Sequence, residues 1–163
     1  MQEKYSGRRV ELWRQYISQA AASGGWRNIS LINGVQSTMV GYANGRAATP
    51  TYEEVCHNNT GHAETIEVVY NPQIVSLEFL LNLYFDVIDP TAVNMQCGDI
   101  GTQYRTGIYY TDKKDLPIIK NIITEVQEKY IKPIATKLKQ LENFYPAEEY
   151  HRKYLNKNPN GYC

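Results

Sequence analysis

The spacing of apolar positions along this 163-residue chain changes repeatedly between the period of a strand and the period of a helix. The alternation is clearest from His62 to Tyr70, where Glu64 falls on the same strand face as Ile66 and Val68. That face is otherwise apolar, so the pattern predicts a strand with one inward-facing acid. Further strands are predicted over 38–45, 107–110 and 135–141.

Helical spacing predicts the elements between these strands. Ser76 precedes an apolar stripe that runs from Leu77 to Tyr84, and Thr51 is placed to cap a single helical turn. Other helices are predicted with a stripe from Ile119 to Tyr130, over 147–155, and as a short amphipathic segment through Val10, Trp13 and Ile17. Because strands and helices alternate, we expect an α/β (α+β) domain with two layers.

Composition and charge exclude several classes of protein. Hydrophobic residues make up 42% of the chain and charged residues 21%, which favours one globular domain over residues 1–163. The formal net charge is zero, which argues against a nucleic acid or a membrane surface as partner. No apolar run reaches the ~18 residues of a membrane span, and the N-terminus has no apolar signal core, so we expect a cytoplasmic protein. The turn-rich tail, residues 156–163, is expected to be mobile.

The three cysteines are Cys56, Cys97 and Cys163, an odd set that does not suggest a disulfide framework. We therefore expect redox or catalytic use of at least one of them. Cys56 also lies near His57 and His62 in the sequence, but the spacing differs from that of zinc ligand pairs, so no metal site is predicted.

Glu64 is the strongest candidate for a catalytic residue. If it points inward with its apolar neighbours, burial disfavours its charged form and raises its pKa. A glutamic acid that stays protonated near neutral pH can donate a proton to a substrate. A solvent-facing Glu64 at the end of its strand is the alternative.

Three further candidates lie on loops beside glycines: Tyr52, Asp99 and Tyr104. The phenol hydroxyls can hold a substrate oxygen, and Asp99 can fix a water or another polar group. Ordinary loop packing, with Asp99 as a turn residue, explains each of them equally well when it is taken alone.

Several motifs occur in order from about residue 30 to residue 163, and together they resemble those of the A-type peptide-methionine sulfoxide reductases. The motifs are Gly41-Tyr-Ala-Asn-Gly45, Thr51-Tyr-Glu-Glu-Val-Cys56, Thr60-Gly-His-Ala-Glu64, Asp89-Pro-Thr91, Asp99-Ile-Gly-Thr-Gln-Tyr-Arg105 and Lys157-Asn-Pro-Asn-Gly-Tyr-Cys163.

This resemblance implies a two-layer sandwich of ferredoxin-like type with a mixed sheet, and thiol-dependent reduction of methionine S-sulfoxide, in proteins or free, as repair of oxidative damage. In the family, a cysteine thiolate attacks the sulfoxide sulfur, an acid protonates the departing oxygen, and the cysteine becomes a sulfenic acid. A resolving cysteine then closes a disulfide that thioredoxin reduces. The resemblance implies a monomer without a cofactor.

Residue roles follow from the resemblance by position. Glu64 matches the proton donor, and Tyr52, Tyr104 and Asp99 match the groups that hold the sulfoxide oxygen. Cys163 matches the resolving cysteine.

The segment Ala20-Ala-Ala-Ser-Gly24 departs from the family. The family nucleophile lies in Gly-Cys-Phe-Trp-Gly at a helix start, where the helix dipole helps to lower the thiol pKa. Spacing back from Gly34 places Ala21 at the nucleophile position, while Ala22 and Ser23 replace the two aromatic residues of the methyl pocket. An alanine methyl group cannot attack sulfur.

A compensated frameshift within residues 1–29 is one hypothesis for this departure. If each codon takes the third base of one residue and the first two bases of the next, residues 16–28 permit Tyr-Leu-Ala-Gly-Gly-Cys-Phe-Trp-Gly-Val-Glu-Glu, with the cysteine across Ala21 and Ala22. Two other hypotheses remain open. In one, the chain is an inactive relative that binds methionine sulfoxide. In the other, it recruits Cys56, one helical turn from Tyr52, as the nucleophile.

Overall fold

The computed structural model describes residues 13–18, 26–96 and 98–149, with side chains from residue 29 onward. The helices are α1 (Tyr52–His57), α2 (Leu77–Val87) and α3 (Leu116–Gln127). The strands are β1 (Trp13–Ser18), β2 (Val35–Ala43), β3 (Ala63–Tyr70), β4 (Met95–Gln96), β5 (Asp99–Ile100), β6 (Gly107–Tyr110), β7 (Lys137–Gln140) and β8 (Phe144–Pro146). Within these ranges, none of the helices has the length and apolar character needed to span a bilayer.

Six of the strands form one mixed sheet in the order β7-β6-β1-β3-β2-β8. β6 and β7 are parallel, whereas the other neighbours are antiparallel. β1 lies inside the sheet, paired with β3 on one side and β6 on the other, so the helix predicted through Trp13 and Ile17 is wrong. β1 pairs with β3 along its whole length and with β6 at Tyr16 and Ile17, and these backbone hydrogen bonds outweigh a weak helical pattern.

The main core lies between the sheet and the helices α2 and α3. Ile66, Val68 and Tyr70 of β3 pack there with the apolar stripes of both helices. The stripe residues buried in this core are Leu77, Leu80, Leu81, Tyr84, Ile119, Ile122 and Val126. The predicted α/β (α+β) sandwich of two layers and ferredoxin-like type, with helices packed on a mixed sheet, is therefore confirmed.

Both predicted helix caps are present. The Thr51 hydroxyl accepts a hydrogen bond from the Glu54 amide at 3.3 Å, and the Glu54 carboxylate accepts one from the Thr51 amide at 2.8 Å. This reciprocal capping box stabilises the single turn of α1. Ser76 accepts a hydrogen bond from the Phe79 amide at the start of α2.

Two predicted helix ends differ from the structure. α3 ends at Gln127, so Tyr130 lies beyond it. Residues 147 and 148 are not helical, and most of the helix predicted over 147–155 lies outside the described residues, as does the tail 156–163.

The segment between α2 and β6 has local structure of its own. It contains the hairpin β4–β5 and a 3-10 turn, Thr102–Tyr104. The side chain of Gln96 fixes the hairpin, since its Oε1 accepts from the Asp89 amide at 3.1 Å and its Nε2 donates to the Asp89 carbonyl at 2.9 Å. Gln96 is paired with Asp99 across the hairpin, so the same contacts place Asp99.

Candidate active site

Glu64 lies near the start of β3, on the face that Ile66, Val68 and Tyr70 continue into the main core. Its partner across the sheet is Tyr42 of β2, whose side chain is fully buried. The inward direction predicted for Glu64 by the alternation of β3 therefore agrees with the structure, and a solvent-facing Glu64 does not.

The environment of Glu64 changes its acidity. Burial raises the pKa of the Glu64 carboxyl from 4.5 to about 7, and the nearby negative charge of Asp99 adds to that shift. Burial acts in this direction because the charged form loses its hydration. The carboxyl is thus protonated in a large fraction of molecules near neutral pH, as a proton donor requires.

Tyr52 is the first residue of α1, and Cys56 follows it by one turn on the same helix face. A hydrogen bond with Cys56 raises the pKa of the Tyr52 phenol, and burial and the negative charge of Glu64 raise it further. The phenol therefore keeps its proton and can act as a hydrogen-bond donor. Its electrostatic interactions with Glu64 and Tyr104 place the Tyr52 phenol near both residues.

Tyr104 reaches the site from the 3-10 turn, which contacts β3. Burial raises the pKa of its phenol, and electrostatic interactions with the acidic groups of Glu64, Cys56 and Asp99 act in the same direction. Tyr104 is thus a second protonated phenol near Glu64. The structure brings together all four of the site residues predicted within its described ranges, which are Tyr52, Glu64, Asp99 and Tyr104.

Arg105 ties two of the site loops together. Its Nη1 donates to the Thr102 carbonyl at 2.8 Å, and its Nη2 donates to the Gly61 carbonyl at 2.9 Å. Gly61 has a φ of +77°, which favours glycine, and it precedes the strand that carries Glu64. Sequence analysis missed this role, because nothing in the spacing of Arg105 indicates that it spans two loops.

Cys56 lies within hydrogen-bonding reach of Tyr52 and Tyr104. Burial raises the pKa of its thiol, and the charges of Glu64 and Asp99 raise it further, although the two phenols oppose the shift. A raised pKa leaves little thiolate at neutral pH, and thiolate is the attacking form. Cys56 lies at the predicted site, but its surroundings disfavour its use as the nucleophile.

His62 is buried and held by the backbone on both sides of its ring. Its Nδ1 accepts from the Gly45 amide at 3.1 Å, so Nε2 carries the proton and donates to the Ala47 carbonyl at 2.8 Å. No group of three His, Cys, Asp or Glu side chains in the described part of the chain is arranged to hold a metal ion.

Comparison with known proteins identifies the family to which this arrangement belongs. The family model described as "Peptide methionine sulfoxide reductase" matches residues 25–163. The chain belongs to the peptide methionine sulfoxide reductase family. It is an enzyme of that class, as its named relatives are.

Relatives and solved structures agree with that assignment. The "Peptide methionine sulfoxide reductase MsrA" of Lachnoclostridium phytofermentans is 63% identical over 148 residues, which cover 91% of this chain and 89% of that protein. Mxr1 from Saccharomyces cerevisiae in reduced form has a TM-score of 0.86 and 34% identity, and the match covers 94% of this chain and 89% of Mxr1. Mxr1 in complex with Trx2 has a TM-score of 0.61 and 22% identity, with coverage of 93% and 91%.

Ala21 at the nucleophile position and Cys163, the predicted resolving cysteine, lie outside the described residues, as does the third cysteine, Cys97. Ala21 also lies outside the family match, which begins at residue 25. The divergence at the nucleophile position is thus confined to the N-terminal segment, and the family pattern covers the rest of the chain.

Proposed function

We propose that this reductase acts on the S epimer of methionine sulfoxide, both in oxidised proteins and as the free amino acid, and so repairs oxidative damage. The observation that carries the proposal is the convergence of one protonatable carboxyl, Glu64, with two protonated phenols, Tyr52 and Tyr104. A sulfoxide oxygen is a strong hydrogen-bond acceptor with no proton of its own. Two phenol donors and one acid match that chemistry.

In the proposed reaction, the phenols of Tyr52 and Tyr104 donate hydrogen bonds to the sulfoxide oxygen and polarise the S=O bond. A cysteine thiolate attacks the sulfur while Glu64 gives its proton to the oxygen. The attack forms a bond between the two sulfur atoms, and protonation leaves a hydroxyl group on the methionine sulfur. That hydroxyl then moves to the cysteine sulfur as the S–O and S–S bonds to methionine break, so the thioether is released and the cysteine becomes a sulfenic acid. The negative charge of Asp99 near Glu64 favours the protonated form of that acid before the reaction.

Reduction of the sulfenic acid requires a second cysteine, which the tail, residues 156–163, contains. We propose that Cys163 attacks the sulfenic acid, releases water and forms a disulfide, and that thioredoxin reduces this disulfide by thiol exchange. The Mxr1–Trx2 complex supports a thioredoxin as the reductant. We propose that the chain works as a cytoplasmic monomer and needs no cofactor.

The attacking thiol belongs at position 21, where this sequence has alanine. We propose that a shifted reading frame within residues 1–29 restores Gly-Cys-Phe-Trp-Gly, because the family match begins at residue 25, directly after the divergent segment Ala20-Ala-Ala-Ser-Gly24. If the protein instead carries Ala21, the site supports binding of methionine sulfoxide without turnover. That second function is favoured by the alanine alone.

An activity assay combined with an intact mass tests these proposals. The protein is incubated with dithiothreitol and a peptide that carries either the S or the R epimer of methionine sulfoxide. We expect turnover of the S epimer only, and a mass that differs from that of the written sequence. Turnover should persist in Cys56→Ala. The control for Tyr52→Phe is Tyr130→Phe, which changes a tyrosine beyond α3.

Each other outcome has a distinct meaning. A mass that matches the written sequence, together with binding but no turnover, supports the binding protein. Turnover that is lost in Cys56→Ala supports recruitment of Cys56. Neither binding nor turnover of either epimer would contradict the proposed substrate.

A further inference from the structure

Glu148 joins the C-terminal part of the described chain to the start of α1. Its Oε1 accepts a hydrogen bond from the Tyr52 amide at 2.8 Å, and its Oε2 accepts one from the Tyr42 hydroxyl at 3.1 Å. On the basis of the proposed function, we infer that Glu148 is a positioning residue that fixes the Tyr52 phenol for the sulfoxide oxygen.

The start of α1 needs such a partner. The first amides of a helix have no acceptor within the helix, and a helix of only six residues has little stability of its own. A carboxylate that accepts from the Tyr52 amide satisfies one of these donors with a charge-assisted bond. Because the phenol extends from the same residue, a shift of the Tyr52 backbone moves its hydroxyl in the site.

Glu148 is itself fixed relative to Glu64. Tyr42, which binds the second carboxylate oxygen, is fully buried and pairs with Glu64 across the sheet. The neighbouring Ala147 is also buried, and its amide donates to the Val40 carbonyl at 2.9 Å. These contacts form a continuous path from the strand pair that carries Glu64 to the residue that carries the phenol. Glu148 thus sets the separation of two groups that act on one oxygen.

A double-mutant cycle on substrate affinity tests this role. The probe is a short peptide with methionine S-sulfoxide, titrated by calorimetry into the parent chain, Glu148→Ala, Tyr52→Phe and the double variant. Where a preparation turns the peptide over, kcat/KM replaces the affinity. We expect Glu148→Ala to weaken binding about tenfold, a size typical of a lost hydrogen bond to a charged group. In the Tyr52→Phe background, the same change should have less than about a twofold effect, because the positioned hydroxyl is already gone.

Two milder variants cover the case in which Glu148→Ala folds poorly. Glu148→Gln keeps an acceptor oxygen and should restore most of the affinity. Tyr42→Phe removes only the hydroxyl that holds Oε2 and should weaken binding about threefold. Glu53→Ala removes an exposed carboxylate from the same helical turn and should leave affinity unchanged, and thermal unfolding of every variant reports its folding.

The experiment distinguishes failure of the inference about Glu148 from failure of the proposed function. If the parent chain binds the peptide and Tyr52→Phe weakens binding, but the Glu148 and Tyr42 variants do not, the inference about Glu148 is wrong and the proposed function stands. Equal losses from Glu148→Ala in both backgrounds also overturn it. If the parent chain does not bind the peptide, or Tyr52→Phe has no effect, the proposed function fails and this inference fails with it.

Discussion

The two ends of β3 place side chains on the same strand face, but burial of those side chains has opposite effects on stability. At the far end, Val68 and Tyr70 are buried among the apolar residues of α2 and α3, and their burial stabilises the fold. At the near end, Glu64 is half-buried near Asp99 and two phenols, and the loss of hydration has a cost that appears as a raised pKa. The same alternation directs both sets of side chains inward.

The comparison shows how a site is made from a core. The strand register fixes which side chains point inward. The chemistry of each side chain then decides whether its burial stabilises the protein or changes the pKa of a reactive group. The core end should therefore respond to mutation through stability, and the site end mainly through chemistry. The experiments below test that separation.

The largest effect is expected at Glu64. Glu64→Gln keeps the shape of the side chain but removes the acid, so we expect turnover to fall about 100- to 10,000-fold, the usual contribution of a general acid. Steady-state assays with the S-sulfoxide peptide measure it. Glu67→Gln, on the same strand but the opposite face, is the matched control and should stay within about twofold. Similar losses in both variants would mean that Glu64 has no special role.

The core end should show the reverse pattern. Leu81 is fully buried in α2, so Leu81→Ala should reduce the free energy of unfolding by about 2 to 5 kcal/mol. Urea unfolding at pH 7 measures that loss. Below the unfolding temperature, kcat should change little, because the site groups lie at the other end of β3. A large fall in kcat with full folding would show that the two ends are coupled.

The acidity of Glu64 predicts an unusual pH dependence of stability. The carboxyl has a pKa of about 7 in the folded protein and 4.5 in the reference state, so the folded state binds the proton more tightly. The contribution of Glu64 to the free energy of unfolding is therefore constant below pH 4.5 and decreases as the pH rises. Above pH 7 it is lower by up to about 3 kcal/mol.

Glu64→Gln removes this titration. At pH 8 the variant should be more stable than the parent, and the difference should vanish near pH 4. Urea unfolding across that range measures it, with Glu53→Gln showing the general effect of removing one exposed acid. A difference independent of pH would contradict the raised pKa.

The smallest effect is expected at the loop bridge. Arg105→Ala removes the hydrogen bonds to the Thr102 and Gly61 carbonyls, and we expect kcat/KM to fall about tenfold as Tyr104 and Glu64 lose their relative placement. Arg105→Lys keeps the charge but can reach only one carbonyl well, so it should recover part of the loss. Full activity in Arg105→Ala would show that the loops hold their places without the bridge.

Local sequence alone predicted several elements with good accuracy. The range of β6 and the caps Thr51 and Ser76 agree with the structure, because caps and strand alternation depend on neighbouring residues. The same reasoning failed at residues 13–18, where the partners on both sides of β1 come from distant parts of the chain. Propensity carries no information about such partners.

For the active site, the sequence determined the residue types and the inward direction of Glu64, since a two-residue period acts along one strand. The motifs also determined the family, which the family match and the relatives confirmed. Only the tertiary structure decided that Arg105 bridges two loops, that Glu148 holds Tyr52, and that the Cys56 thiol is held in its neutral form. Those properties depend on contacts between residues up to 96 positions apart, where distances and burial are set by the packed fold and not by local spacing.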